Sequence, residues 1–299
     1  MCYGVKHSKG TEAGWGPCSR TVLLGSGVLA LAYWNNSIAV GSGLSDIIIL
    51  DAVTGSQIDV LSGHTDRVNC LTFSADGKLL VSGSDDKTTK LWDVQTGGVV
   101  KTFHGHTQAV CSTSISVDYI RIASGSTDKT ICLWDIQTWE CLYTIEQQDT
   151  VWHVIFSPID PQHLISTSDG EVWWWDPNGH QILPTYFGSH ISFSLDNTQF
   201  ALCNGMVVKV QSSSTGETMA TFYIDNDANY CCFSPDGRFV AAAAGNTAYV
   251  WDINSPNPYL VETFVGHVDV ITSLVFSSPN SLISASDDES VRFWKIGTC

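Results

Sequence analysis

Three sets of histidine, serine and aspartate recur along this 299-residue chain at matching spacings. They are His64, Ser82 and Asp86; His106, Ser124 and Asp128; and His267, Ser284 and Asp288. A hydroxyl, an imidazole and a carboxylate are the parts of a nucleophilic triad, in which the imidazole takes the hydroxyl proton and the carboxylate orients the ring. Hydrolysis or acyl transfer is the chemistry such a set could perform. The recurrence argues against it, because an enzyme needs one such site and not three in register. Each set is also closed by a tryptophan: Trp92, Trp134 or Trp294. Residues that repeat with the architecture are expected to hold it together, so no catalytic residue is assigned.

The other reactive side chains are scattered. His153, His163, His180 and His190 show no recurrent spacing to cysteine or carboxylate, so no metal site is expected. No GxxxxGK[ST] phosphate loop occurs, and no cofactor is expected. Of the ten cysteines, Cys70, Cys111, Cys132, Cys141, Cys231 and Cys232 fall in predicted strands at small apolar positions, without CxxC spacing. They read as buried free thiols in a reducing compartment, which makes the expected location cytoplasmic. Cys2, Cys18 and Cys299 lie near the termini, where a bridge is the alternative. Trp173, Trp174 and Trp175 are consecutive. On a strand Trp173 and Trp175 share one face and Trp174 takes the other. The shared face is expected to be core, with a sugar-stacking platform at Trp173 as the functional alternative.

The elements that must position the repeated sets are short strands. GHTDRVNCLTFSADGKLLVSGSDDKTTKLWD, residues 63–93, holds three apolar runs of strand length, beginning at Val68, Leu79 and Thr88. β-Branched and aromatic residues in short alternating runs, punctuated by Asp and Gly, predict an antiparallel meander. One meander cannot bury its faces, so it needs neighbours of its own kind. Trp92, Trp134, Trp175, Trp251 and Trp294 close successive copies, at steps of 42, 41, 76 and 43 residues. The step of 76 holds two copies, the unmarked one ending near Val210. A further copy ends at Leu50-Asp51. Seven closing strands result, at Leu50, Trp92, Trp134, Trp175, Val210, Trp251 and Trp294. A spare strand-like run at residues 19–25 precedes the first copy, and the last copy lacks a strand after Trp294. The two are expected to pair, removing two open sheet edges.

Gly-His and Trp-Asp at this period resemble the WD-repeat family, whose repeats form the blades of a β-propeller. The resemblance runs from Ser19 to the C-terminus. It implies an all-β fold: a single seven-bladed propeller of four-stranded antiparallel blades over residues 18–299, its ring closed by the N-terminal strand. Residues 1–17 are then a leader or the remnant of a linker. More narrowly, WGPCSRTVLLGS, SGSDDKTTKLWDVQTG and CFSPDGRFVAAAAG resemble the WD-repeat region that follows the NACHT module in fungal STAND-type incompatibility and innate-immune receptors. The family resemblance gives the repeated sets a structural role. Asp accepts from His, His reaches Ser, and Ser reaches the Trp indole. Blades 1, 4, 5 and 6 depart from that pattern: blade 4 keeps Asp169 and Trp175 without Gly-His, and blade 6 has Gly245 where the aspartate should stand.

Lys and Arg number 14 against 30 Asp and Glu, a net charge of −16. Such a surface repels phosphate and anionic lipid, so neither nucleic acid nor membrane is expected as a partner. Residues 1–17 have no apolar core of a signal peptide, and no run reaches membrane-spanning length. A monomer that binds a protein or peptide carrying basic residues is expected.

The first strands of the repeats suggest where. Their framework recurs, with Val68, Val110 and Val151 matching, while the flanking positions vary. These are Leu29, Arg67, Asn69, Cys111, Thr150, Trp152, Asp227, Asn229, Val270 and Thr272, with Ser189 from blade 5. By the resemblance they rim the top of the central channel. A constant framework beside a varied rim suits recognition. Trp152 would be its anchor, and Asp66, Asp85, Asp149, Asp227, Asp269 and Asp287 would make it acidic. The expected function is a non-catalytic protein- or peptide-binding scaffold, the ligand-sensing propeller of an NLR-like NACHT–WD receptor. A lectin-like carbohydrate-binding propeller and an enzyme with an unrecognised site are the alternatives.

Overall fold

Strands of two to eight residues make up the regular structure, because Asp, Gly and Ser interrupt every apolar run before helical period can build. The computed structural model describes residues 6–8, 18–176, 178–182 and 186–297, and among them there is no helix. The strands form seven antiparallel sheets, six of four strands and one of five. The fold is an all-β, seven-bladed propeller. The chain divides into two compact units, residues 37–50 with 57–189 and residues 1–36 with 51–56 and 190–299. The first sheet orders Val28–Trp34, Ser37–Ser42, Ile47–Asp51 and Gln57–Leu61.

The unit centred on residues 57–189 holds blades 2, 3 and 4. Blade 2 is Val68–Phe73, Leu79–Ser84, Thr88–Asp93 and Val99–His104. Blade 3 is Val110–Ile115, Arg121–Ser126, Thr130–Asp135 and Cys141–Glu146. Blade 4 is His153–Phe156, Leu164–Ser168, Glu171–Trp175 and the two-residue strand Tyr186–Phe187. Apolar side chains of successive blades interlock: Val81, Leu91 and Phe103 pack on Ile122 and Trp134. Leu133 and Ile145 pack in turn on Val154, Phe156 and Trp175. Close approach between blades sets one residue type. A Cβ at Gly83 would stand 2.5 Å from Val110 Cγ1, and one at Gly125 would stand 2.5 Å from Val151 Cγ1. Side chains on the first strands also satisfy backbone groups of the next blade, as when Ser112 Oγ accepts from Val154 N at 3.0 Å.

The other unit holds blades 5, 6 and 7. Blade 5 is His190–Phe193, Gln199–Asn204, Val207–Ser212 and Thr218–Tyr223, so the unmarked copy ending near Val210 is a full blade. Blade 6 is Ala228–Phe233, Phe239–Ala244, Thr247–Asp252 and Tyr259–Val265. Blade 7 has Ile271–Ser278, Ser281–Ser286 and Ser290–Lys295, and its fourth strand is Cys18–Leu23. Val22 pairs with Val291 and Cys18 with Trp294. The strand that comes first in the sequence completes the last blade. Lys6–Ser8 adds a fifth strand by pairing with Thr21, Val22 and Leu23.

The eight described cysteines are free thiols, Cys18 among them; Cys2 and Cys299 lie outside the described residues. Of the six expected to be buried, Cys132 and Cys231 are, Cys70, Cys111 and Cys232 are half-buried, and Cys141 departs furthest. It is exposed, because the fourth strand of blade 3 turns all but one of its side chains to solvent.

Candidate functional site

A buried indole can only donate a hydrogen bond, and that sets the direction of each repeated set. In blade 2 Trp92 Nε1 donates to Ser82 Oγ at 2.7 Å. The Ser82 proton then faces His64 Nε2, also 2.7 Å away. His64 Nδ1 donates in turn to Asp86 Oδ2 at 2.7 Å. Blade 3 repeats the chain from Trp134 through Ser124 and His106 to Asp128, at 2.9, 2.8 and 3.1 Å. Blade 7 repeats it from Trp294 through Ser284 and His267 to Asp288, at 2.7, 2.6 and 2.8 Å. The order Ser–His–Asp is that of a triad. All three serines are 0% exposed, however, and each hydroxyl already accepts an indole N–H. No substrate carbonyl can approach them.

The charges follow from burial. Burial pushes the His106 and His267 imidazoles below their ordinary value, against the pull of Asp128 and Asp288. Burial also works to raise the Asp86 and Asp288 carboxyls. Hydrogen bonds from the imidazole and from the Thr88 or Ser290 hydroxyl outweigh it and hold both well below the usual carboxylate range. In blades 3 and 7 the pair is a neutral imidazole donating to a carboxylate.

Blade 4 meets the same need with a different residue. Trp175 Nε1 donates to Ser166 Oγ at 2.8 Å, and Gln147 Nε2 donates to the same oxygen at 2.8 Å. Asp169, expected to hold the aspartate's place, does not join this network. It sits at φ 45° in a tight turn with Gly170 at φ 80°, and it is exposed. Gln147 was findable: it precedes Val151 by the interval that separates His64 from Val68 and His106 from Val110.

The varied positions of the first strands share a backbone feature. The register shifts between Val68 and Cys70, Val110 and Ser112, Ala228 and Tyr230, and Ile271 and Ser273. The inserted residues are Asn69, Cys111, Asn229 and Thr272. A bulge leaves its residue out of the ladder and re-aims its side chain. In the unit centred on residues 57–189, Arg67 and Trp152 are exposed, while Asn69, Cys111, Thr150 and Ser189 are half-buried. Trp152 is 58% exposed although its neighbour Val151 is sealed. Asn69 Nδ2 donates to Asp85 Oδ1 at 2.7 Å and to Val110 O at 3.2 Å. Burial raises the Cys111 thiol to about 11, so it is no nucleophile at neutral pH. In the other unit Asp227, Asn229 and Val270 are exposed, and Leu29 and Thr272 are half-buried. Thr272 Oγ1 donates to Val28 O at 2.5 Å. Among the described residues no cluster of His, Cys, Asp and Glu has the geometry to hold a metal ion.

Comparison with known proteins places this geometry. The family described as WD domain, G-beta repeat matches residues 55–93, 97–135, 139–176, 216–252 and 258–295, more than half of the chain. These segments end at the five copies closed by tryptophan. Human WD repeat-containing protein 37 is 34% identical over 73 residues, 24% of this chain and 15% of that protein. The THO complex subunit 6 homolog of Danio rerio is 39% identical over 59 residues, 20% of this chain and 18% of that protein. Periodic tryptophan protein 2 of Arabidopsis thaliana is 25% identical over 263 residues, 84% of this chain and 24% of that protein. The matched stretches thus span less than a quarter of each of these relatives. With Trp-to-Asp networks in three blades and the family's repeat matched five times, the chain belongs to the WD-repeat family.

Proposed function

We propose that this propeller is a non-catalytic platform that binds a protein or peptide through the ends of its first strands, with Trp152 as anchor. The observation that carries the reading is the exposure of that indole, 58%, beside the fully buried Val151. Folding gains nothing from a large aromatic left in water, whereas a partner's pocket gains much. Bulges at Asn69, Cys111, Asn229 and Thr272 support it, since each frees a side chain from the alternation that packing demands. Family membership supports it too, and one relative is by its name a subunit of a complex. The repeated Ser–His–Asp–Trp sets are structural in this reading. The net charge of −16 favours a partner with Arg or Lys. The finer setting we propose is a cytoplasmic, monomeric sensor propeller of a fungal NACHT–WD receptor.

A random peptide library selected on the full chain tests the reading. Trp152→Ala and Arg67→Glu should each weaken the selected peptides about tenfold, the loss expected for one anchor, with little change in Tm. If both leave affinity untouched while substitutions at the opposite ends of the strands reduce it, the reading is wrong.

A further inference from the structure

A cleft of about 540 Å³ opens beside blade 4, within the size range of small-ligand sites. One wall is aromatic. Trp173 and Trp175 stack with ring centroids 6.1 Å apart and planes 19° from parallel. The bond from Trp175 to Ser166 fixes this platform in place. Along the outer edge of the blade Tyr186 and Phe187 pair with Val172 and Glu171, and Gln181 bridges to Trp175. Trp173 is half-buried and lines the cleft.

The other walls are rich in acceptors. Glu146, Asp169 and Glu171 line the cleft, as does Asp149, which is shared with Lys129 at 3.8 Å. Gln147 spends its Nε2 on Ser166, and its Oε1 is buried without a hydrogen bond.

We infer that this cleft takes an arginine side chain of the polypeptide that the platform binds, an assignment that rests on the protein-binding reading above. A guanidinium is planar and stacks on indole, carries positive charge to the carboxylates, and has only donors to offer their oxygens. A lysine ammonium lacks the flat face. A sugar has hydroxyl donors for the carboxylates but no positive charge to offer them.

The test titrates N-acetyl-arginine amide into the full chain by calorimetry, with N-acetyl-lysine amide and N-acetylglucosamine alongside. The arginine probe should bind saturably and at least about fivefold more tightly than the lysine probe, as stacking requires. Glu171→Gln and Trp173→Leu should each weaken it about tenfold, the loss of one charge-assisted bond or of the stacking face. Circular dichroism checks that each variant is folded, and the half-buried Glu171 serves if Trp173→Leu is not. No saturable binding of the arginine probe, equal binding of the lysine probe, preference for the sugar, or indifference to both substitutions overturns the assignment. The two readings fail separately. Selected peptides that depend on Trp152 while the probe does not bind remove the cleft and leave the platform; a probe that binds while no peptide depends on Trp152 does the reverse.

Discussion

Removing the Asp86 carboxylate tests what the repeated polar sets contribute. Asp86 accepts four hydrogen bonds: from His64 Nδ1 at 2.7 Å, Thr65 N at 3.1 Å, Thr88 N at 2.9 Å and Thr88 Oγ1 at 2.6 Å. In Asp86→Ala, water can reach Thr65 and Thr88, which are exposed and half-buried. It cannot reach the imidazole, whose side chain is 0% exposed. The cost is therefore one charge-assisted bond plus a stranded buried donor, roughly 3 kcal/mol in all. The Thr88 hydroxyl, 3.3 Å from His64 Nδ1, recovers part of that. Against a total stability of about 5–15 kcal/mol, the loss should lower Tm by roughly 5–10 °C. Asp85→Ala is the control: its partner is the half-buried Asn69 side chain, and the loss should stay under about 1 kcal/mol. Urea unfolding followed by tryptophan fluorescence reads both, and a double-mutant cycle with His64→Ala isolates the pair. Equal shifts for Asp86→Ala and Asp85→Ala, or a coupling near zero, would refute the argument.

Three further outcomes are expected. Gly83→Ala should destabilise by about 1–3 kcal/mol, the cost of overpacking, since its Cβ would meet Val110 Cγ1 at 2.5 Å and Cys70 Sγ at 2.6 Å; an unchanged urea midpoint would show that the blades can shift apart freely. Acid should weaken the fold in two stages. The unfolded chain protonates histidine from about pH 6.5 downward while buried His106 and His267 resist, and below about pH 3.8 it protonates aspartates that Asp86, Asp128 and Asp288 keep ionised when folded. His106→Gln, which copies the arrangement at Gln147, removes one titrating ring, so wild type should lose ground to it between pH 7 and 5; a constant difference would contradict the sign. Deleting residues 1–25 takes away the partner of Ser290–Lys295 and exposes a ladder edge, so Tm should fall or the protein aggregate, and an unaltered melting curve would mean that the pairing adds nothing.

The sequence alone determined the blades, because what makes a blade is local and repeated. Alternation over a few residues, Asp and Gly at the turns, and a tryptophan closing the third strand each carry a weak signal, and seven copies in register make it strong. Even Cys18–Leu23 completing blade 7 followed from counting strands with and without partners. The binding face and the polar networks were legible only in part. Period-two alternation holds no record of an inserted residue, so the bulges at Asn69, Cys111, Asn229 and Thr272 emerge only when two strands are laid side by side. Asp169 keeps the right letter near the right place, yet a tight turn at φ 45° carries it to the surface. Gln147 takes the histidine's role although its chemistry differs, because position beside Ser166 and not residue type decides which group reaches that hydroxyl. The cleft at Trp173 gathers Glu146 and Asp149 from one stretch of the chain and Asp169, Glu171 and Trp173 from another. Which side chains of separate segments face one cavity is settled only in three dimensions.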